Sequence, residues 1–205
     1  MKLYKPQFWN NKNSFISILL IPISLIITLL IFLRKKLTKP TKHDMSIICI
    51  GNVYIGGTGK TPLSIFIAET LKKLGKKTAL VKKFYPNQSD ELNLIRSKGI
   101  KLFTDKNRNS AILKTKKKYD VVVLDDGYQD PSFHKDLSII CFNEKQLIGN
   151  ERTIPSGPLR EPLRSLKETK IIIINGKKNI NFEKKILDIS KSINIYYSNY
   201  IPTNI

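Results

Sequence analysis

Acidic residues are scarce in this chain of 205 residues. Its 36 Lys and Arg outnumber 16 Asp and Glu, which gives a formal net charge of +20. Such a balance ordinarily favours a nucleic-acid partner, but nucleic-acid binders concentrate charge on one surface, and these basic residues are scattered without an aromatic-interleaved stripe. We therefore predict no nucleic-acid partner, and acidic phospholipid headgroups are the simpler partner for the basic cluster described below.

Cysteine is scarce too, with two residues in the chain. Cys49 and Cys141 both lie in apolar, strand-like runs. Cysteines in such runs behave as small core residues, whereas disulfide frameworks and zinc sites need more cysteines at set spacings. We therefore expect two reduced core thiols instead of a disulfide or a metal pair.

One long apolar run lies near the N-terminus. Residues 15–33 are uncharged, and 15 of these 19 residues are Ile, Leu or Phe. A run of this length can cross about 30 Å of hydrocarbon, so we predict a transmembrane helix over 15–33. The alternatives are a buried soluble helix and a signal peptide, but signal peptides have shorter apolar cores of roughly 7–15 residues and a small-x-small cleavage site.

Basic residues flank this run unequally, which predicts that the chain after it is cytoplasmic. On this interpretation 1–14 is an N-terminal flank and 34–45 is a basic juxtamembrane segment. The flanking cations are Lys2, Lys5 and Lys12 before the run, and Arg34, Lys35, Lys36, Lys39 and Lys42 after it.

The stretch 47–62, IICIGNVYIGGTGKTP, has the order of elements of a phosphate-binding loop. An apolar run predicts a buried strand, a glycine-rich loop follows, and Lys60 and Thr61 open a helix. The glycines let backbone N–H groups face one anion, the helix dipole adds to the attraction, and the lysine reaches the outer phosphates. Thr61 would place its hydroxyl on Mg²⁺. The predicted nucleotide-binding residues are Gly56, Gly57, Thr58, Gly59, Lys60 and Thr61.

The strict P-loop pattern lacks its first glycine, because position 54 is Tyr54. A glycine-rich turn that binds nothing is therefore the alternative. The order of strand, glycines, Lys-Thr and helix favours the phosphate cradle.

The rest of the chain predicts an α/β fold of the P-loop NTPase type, with a mostly parallel sheet flanked by helices and one N-terminal transmembrane helix. The kinase-type domain is expected over 46–178. Further strands are predicted at 78–81, 100–103, 121–124, 137–142 and 171–174, with helices opening at 89 and spanning 107–116.

Three aspartates are candidate site residues. Asp125 and Asp126 follow the buried strand 121–124, and open α/β sheets bind ligands at the carboxyl ends of their strands. A carboxylate there is how P-loop proteins hold Mg²⁺, so we predict Thr61 and Asp125 as metal ligands. Asp90 lies in the first turn of a predicted helix, where the residues alone favour a surface carboxylate that complements the helix dipole.

Four motifs, in this order, resemble those of the tetraacyldisaccharide 4′-kinases, which make the bis-phosphorylated lipid A precursor at the bacterial inner membrane. They are GNVYIGGTGKTP (51–62), SDE (89–91), DDGYQ (125–129) and IPSGPLREPL (154–163). The resemblance implies an ATP- and Mg²⁺-dependent kinase that phosphorylates the 4′ hydroxyl of a tetraacyldisaccharide 1-phosphate on the cytoplasmic side.

The resemblance also implies residue roles. Lys60 and Thr61 become the phosphate and Mg²⁺ ligands, and Asp125 and Asp126 the catalytic acidic pair around the metal. Asp90 becomes the general base that takes the proton from the sugar hydroxyl, which reverses the interpretation from the residues alone.

The chain departs from the family pattern in three places. It has Lys82-Lys83-Phe84-Tyr85 where the family usually has Ser-Arg-Gly-Tyr, and Ser156 where Ala is usual. The family's C-terminal Phe-Pro-Asp-His-His stretch has no match, so 179–205 is expected to be the start of a truncated C-terminal part. We expect this chain to bind Mg·ATP but to transfer phosphate poorly.

Two rival functions stay open. A partitioning-type P-loop ATPase would carry a lysine where this loop has Ile55. A truncated, membrane-anchored remnant would bind ATP without turnover.

Overall fold

The structure is a computed structural model that describes residues 5–86 and 89–199. The chain divides into two compact units. The central unit consists of Lys39–Asn52 and Gly59–Cys141, and the terminal unit of Met1–Thr38, Val53–Thr58 and Phe142–Ile205. The domain boundary expected between residues 178 and 179 stays a prediction.

Strands and helices alternate after residue 45. The strands are β1 (Ser46–Gly51), β2 (Thr78–Lys83), β3 (Leu102–Asp105), β4 (Val121–Asp125), β5 (Leu137–Asn143), β6 (Ile171–Asn175) and β7 (Asn194–Ser198). The α-helices are α1 (Phe15–Leu19), α2 (Ile21–Leu37), α3 (Lys60–Lys73), α4 (Ser89–Ser97), α5 (Arg108–Leu113) and α6 (Ile180–Ile189). Short 3-10 helices occupy Gln7–Asn10 and Leu163–Glu168.

The strands form a seven-stranded sheet in the order β3-β2-β4-β1-β5-β6-β7. The pairs β1–β4, β1–β5, β2–β3, β2–β4 and β6–β7 are parallel. All residues of β4 are buried, as expected of a strand covered on both faces. The predicted α/β fold with a mostly parallel sheet flanked by helices is confirmed.

Most predicted elements lie where the sequence placed them. The strands predicted at 78–81, 121–124, 137–142 and 171–174 fall inside β2, β4, β5 and β6. The strand predicted at 100–103 begins two residues later, and the helix predicted over 107–116 ends at Leu113. The helix α6 and the strand β7 were not predicted, although Asn179 accepts a capping hydrogen bond from the backbone N–H of Phe182.

The two cysteines are buried and free, as predicted. Cys49 lies on β1 and Cys141 on β5. Burial raises the pKa of each thiol to about 12. Both therefore stay protonated and serve as core residues.

The structure does not contain the single transmembrane helix that was predicted over 15–33. The N-terminal apolar run forms two helices, α1 and the 17-residue α2, which meet at Leu20. Pro22 explains the break, because proline has no N–H to donate and its ring clashes with the carbonyl four residues earlier. Within residues 5–86 and 89–199, no helix is both long and apolar enough to cross a membrane.

The two buried residues of this run are both serines. Ser17 Oγ donates to the carbonyl oxygen of Ser156 at 2.7 Å, and Ser24 Oγ donates to that of Thr153 at 2.9 Å. In contrast, Leu25, Leu29 and Phe32 are 64%, 56% and 58% exposed. Within the terminal unit, α2 therefore turns hydroxyl groups toward the protein and leaves apolar side chains uncovered.

Candidate functional site

The loop between β1 and α3 has the backbone of a phosphate cradle. Gly56 and Gly59 adopt φ angles of 120° and 86°, which residues with a Cβ rarely tolerate. Gly59 is the N-cap of α3, and the first N–H groups of a helix have no partners within it. Thr58 is 1% exposed, and no partner of its buried Oγ1 lies among the described residues. These features fit an anion held by backbone N–H groups.

The segment 154–163 supports the first part of this loop, within the terminal unit. The backbone N–H of Ile55 donates to the carbonyl of Pro158 at 2.9 Å, and that of Arg160 to the carbonyl of Val53 at 2.7 Å. Tyr54 and Leu159 form an isolated antiparallel bridge between these two hydrogen bonds. The IPSGPLREPL motif therefore acts as a backbone template for the loop.

Three hydroxyl or carboxylate side chains meet at the start of α3, in the central unit. Thr61 Oγ1 donates to Asp125 Oδ2 at 2.9 Å, and Ser64 Oγ lies 3.4 Å from Asp125 Oδ1. The register of the sheet places Asp125 there, because it pairs with Ile50 of β1 and Lys82 of β2. Asp125 is 1% exposed, so its charge must be compensated by close partners.

Lys82 supplies that compensation. Its Nζ donates to Asp125 Oδ2 at 2.5 Å, to Thr61 Oγ1 at 3.3 Å and to Glu91 Oε2. Burial opposes the charged form of this lysine, but the charges and hydrogen bonds of Asp125 and Glu91 outweigh burial and raise the pKa of Lys82 above its usual value. The ammonium group is therefore charged at neutral pH.

Asp126 lies next to the loop lysine. Its Oδ1 is 3.8 Å from Lys60 Nζ, and its backbone has a φ of 61°. Two hydrogen bonds hold this strained turn: the Asp126 N–H donates to the carbonyl of Ile50 at 2.9 Å, and Arg108 Nη2 donates to the Asp126 carbonyl at 2.5 Å. The turn after β4 thus aims a carboxylate at Lys60.

The rest of the DDGYQ motif packs on the end of β1. A Cβ on Gly51 would lie 2.4 Å from Tyr128 Cβ, so only glycine fits there. Gln129 Nε2 donates to the carbonyl of Asn52 at 2.7 Å. These contacts fix the position of the turn that carries Asp125 and Asp126.

Among the described residues, no hydrogen bond or ion pair joins Asp90 to this cluster. Asp90 is exposed in the first turn of α4, and its neighbour Glu91 is the acid that reaches Lys82. The structure thus brings together Lys60, Thr61, Asp125 and Asp126 within the central unit, and it leaves Asp90 at the surface.

Sequence reasoning missed Lys82, Glu91 and Ser64. One signal for Lys82 was available, because a lysine that directly follows the apolar end of the strand predicted at 78–81 needs a partner if the strand continues through it. Glu91 stands beside Asp90 in the SDE motif, and Ser64 lies one helical turn after Lys60.

The oxygens of Thr61 and Asp125 are of the kind that Mg²⁺ prefers. Within residues 5–86 and 89–199, no cluster of three or more His, Cys, Asp and Glu could hold a metal by itself. Magnesium in nucleotide sites is commonly held by one or two protein ligands together with phosphate oxygens. The residues therefore fit a magnesium ion that is shared with a nucleotide.

Comparisons with known proteins agree on one family. The profile of the family Tetraacyldisaccharide-1-P 4′-kinase matches residues 16–204. The tetraacyldisaccharide 4′-kinase of Pelagibacter ubique is 43% identical over 209 residues and covers 100% of this chain. That of Rickettsia canadensis is 33% identical over 196 residues and covers 87%.

Solved structures agree on the fold. The crystal structure of LpxK from Aquifex aeolicus in complex with ATP aligns with a TM-score of 0.67 and 25% identity over 78% of this chain. The hydrogenase maturation factor HypB from Archaeoglobus fulgidus aligns over 87% of the chain and 90% of its own, with a TM-score of 0.54. Its 13% identity shows a shared fold alone.

The chain spans only part of its relatives. It covers 66% of the Pelagibacter protein, 60% of the Rickettsia protein and 58% of the Aquifex chain. The match over residues 16–204 nevertheless includes all four motifs of the site. The chain belongs to the tetraacyldisaccharide-1-P 4′-kinase family.

Proposed function

We propose that the protein transfers the γ-phosphoryl group of ATP to the 4′ hydroxyl of a tetraacyldisaccharide 1-phosphate, in lipid A biosynthesis. This proposal rests on the hydrogen bond that Thr61 Oγ1 donates to Asp125 Oδ2, with 2.9 Å between the two oxygens, at the end of a loop that finishes in Gly-Lys-Thr. Such transfer depends on positioning and on charge neutralisation more than on covalent catalysis.

The phosphates would be held by the loop. Backbone N–H groups of Gly56, Gly57, Thr58 and Gly59 would bind phosphate oxygens, and the buried Thr58 hydroxyl, which has no partner among the described residues, is a further donor. Lys60 would exchange its 3.8 Å contact with Asp126 for the outer phosphates. Each of these groups stabilises negative charge that develops during transfer.

Thr61 and Asp125 would hold Mg²⁺. The ion supplies neutralisation of the phosphate charge and orients the β- and γ-phosphates when it is bound. Asp126 would act beside it, since its carboxylate faces Lys60.

Asp90 is proposed as the general base. A carboxylate that receives a proton from a sugar hydroxyl must be reachable by a large lipid substrate, and Asp90 is exposed at the start of α4. The proton would pass from the attacking hydroxyl to a carboxylate oxygen of Asp90.

We expect Lys60→Ala to weaken Mg·ATP binding by about tenfold or more, because the lysine contacts phosphate before the reaction begins. The matched control is Lys73→Ala, which removes an exposed lysine at the other end of α3. Binding is measured by calorimetry, and transfer by the appearance of labelled bis-phosphorylated lipid from γ-labelled ATP. Equal ATP affinity in the wild type and Lys60→Ala would contradict the cradle. ATP binding without any transfer would favour the non-catalytic remnant.

The site is proposed to work at the cytoplasmic face of the bacterial inner membrane. The uncovered apolar side chains of α2 are followed by Arg34, Lys35 and Lys36 in its last turn. An apolar face next to basic residues is typical of a helix that lies in the interface of a membrane with acidic headgroups. This contact would hold the chain at the membrane that contains its lipid substrate.

We expect the chain to sediment with vesicles that contain phosphatidylglycerol. The double variant Leu25→Glu/Leu29→Glu is expected to lose most of this binding, because two carboxylates would enter the apolar contact. The control Leu113→Glu adds one carboxylate at an exposed leucine of α5 and should bind like the wild type. Unchanged sedimentation of the double variant would contradict this membrane contact.

A further inference from the structure

The ammonium group of Lys82 is surrounded by oxygen atoms, as a bound metal cation would be. It has three N–H donors, and three side-chain oxygens accept them: Thr61 Oγ1, Asp125 Oδ2 and Glu91 Oε2. The side chain is 6% exposed, and that of Asp125 is 0% exposed. The hydrogen-bonding capacity of the ammonium is therefore used up inside the protein.

Two of these three oxygens belong to the residues proposed to hold Mg²⁺. Mg²⁺ binds oxygen at roughly 2.0–2.1 Å, so an ion on Thr61 and Asp125 would lie well inside the distances at which Lys82 Nζ now contacts them. At such a short separation, two positive charges repel each other strongly in a buried site. An ion on these oxygens would therefore compete with the ammonium for them.

The position of Lys82 is set by the sheet. Residue 82 pairs in register with Asp125 across β2 and β4, and both strands are central in the order of the central unit. Its neighbour Lys83 points elsewhere, with its Nζ 5.4 Å from the centroid of the Tyr85 ring. Only the first lysine of the pair therefore competes for the acidic site.

We propose that Lys82 is a tethered competitor of Mg²⁺, which occupies the metal position until the ion arrives together with the phosphates of ATP. This inference rests on the proposed kinase function. Phosphate oxygens add negative charge and further ligands that a free ion lacks, so Mg·ATP can displace the ammonium where free Mg²⁺ cannot. Lys82 thus makes the site selective for the metal–nucleotide complex over the free metal.

The experiment measures binding of free Mn²⁺, a spectroscopic substitute for Mg²⁺, by electron paramagnetic resonance in the absence of nucleotide. The variant Lys82→Ser removes the ammonium and opens space, and Lys83→Ser is the matched control one residue away. We expect Lys82→Ser to bind one Mn²⁺ at least about tenfold more tightly than the wild type, because a competing charge is gone. Lys83→Ser should match the wild type. A third variant, Lys82→Ala, also removes the ammonium and opens space, and it gives the same comparison if Lys82→Ser does not fold.

Calorimetry with Mg·ATP on the same proteins separates the competitor role from the kinase function. If the wild type binds Mg·ATP but neither Lys82 variant gains affinity for free Mn²⁺, the competitor role is wrong and the kinase site stands. The competitor role is also wrong if Lys83→Ser gains as much affinity as Lys82→Ser. If neither the wild type nor the variants bind Mg·ATP, the proposed function fails, and the inference fails with it.

Discussion

Asp125→Asn is expected to lower phosphoryl transfer by about 10³-fold. The substitution removes the charge that would hold Mg²⁺ when negative charge develops on the transferred group, while the loop that binds the phosphates is untouched. The affinity for ATP should therefore change much less than the turnover number. Steady-state kinetics and calorimetry on the same preparation make this comparison, and turnover close to that of the wild type would exclude Asp125 as a metal ligand.

The same variant is expected to lower the free energy of unfolding by roughly 3 kcal/mol, because it leaves the buried Lys82 without its fully buried partner. Glu91→Gln is the control, since it removes the other acidic partner of Lys82. The Glu91 side chain is 45% exposed, so this change should cost less than about 1 kcal/mol. Urea unfolding measures both. Adding Lys82→Met to Asp125→Asn should restore stability without restoring transfer, whereas a double variant as unstable as Asp125→Asn would contradict the buried pair.

The sequence was enough to predict that Asp125 and Lys60 lie at the carboxyl edge of the sheet, because the end of a strand can be recognised from a few neighbouring residues. An apolar run that ends in a carboxylate, and a glycine loop that ends in Lys-Thr, each predict a position on the same edge of a parallel sheet. Within the central unit, Thr61 donates to Asp125, and Lys60 lies 3.8 Å from Asp126. Such local features do not determine how neighbouring strands align.

Lys82 shows why that alignment matters. Its partner Asp125 is 43 residues away along the chain, and the two meet because β2 and β4 pair in one register. A shift of one residue would turn Lys82 to the other face of the sheet. The sequence pattern alone does not contain this register, so it could indicate that Lys82 needs a partner but could not identify Asp125 as that partner.

The N-terminal run shows a different failure. Its apolar composition favoured a membrane span, but the spacing of its polar residues carried the structural information. Ser17, Ser24 and Thr28 are separated by seven and four residues, which places them on one side of a helix, and each binds the segment around Thr153 and Ser156. Together with the break at Pro22, that polar stripe predicts a helix pair packed on protein along one side.

Asp90→Asn is expected to lower transfer by about 10³-fold without weakening ATP binding. The substitution keeps the shape of the side chain and removes the carboxylate that would receive the proton of the sugar hydroxyl. Because Asp90 is exposed and the residues around Lys60, Thr61 and Asp125 do not depend on it, the Kd for Mg·ATP should stay within about twofold of the wild-type value.

Stability separates this role from the alternative in which Asp90 only complements the dipole of α4. In that alternative, Asp90→Asn would reduce the free energy of unfolding by about 0.3–1 kcal/mol and leave transfer unchanged. The control Asp188→Asn removes an exposed carboxylate from α6 and should alter neither transfer nor ATP affinity. If Asp90→Asn transfers phosphate at the rate of Asp188→Asn, Asp90 is a surface residue and not the general base. The next carboxylate to replace is then Asp126, whose Oδ1 lies 3.8 Å from Lys60 Nζ.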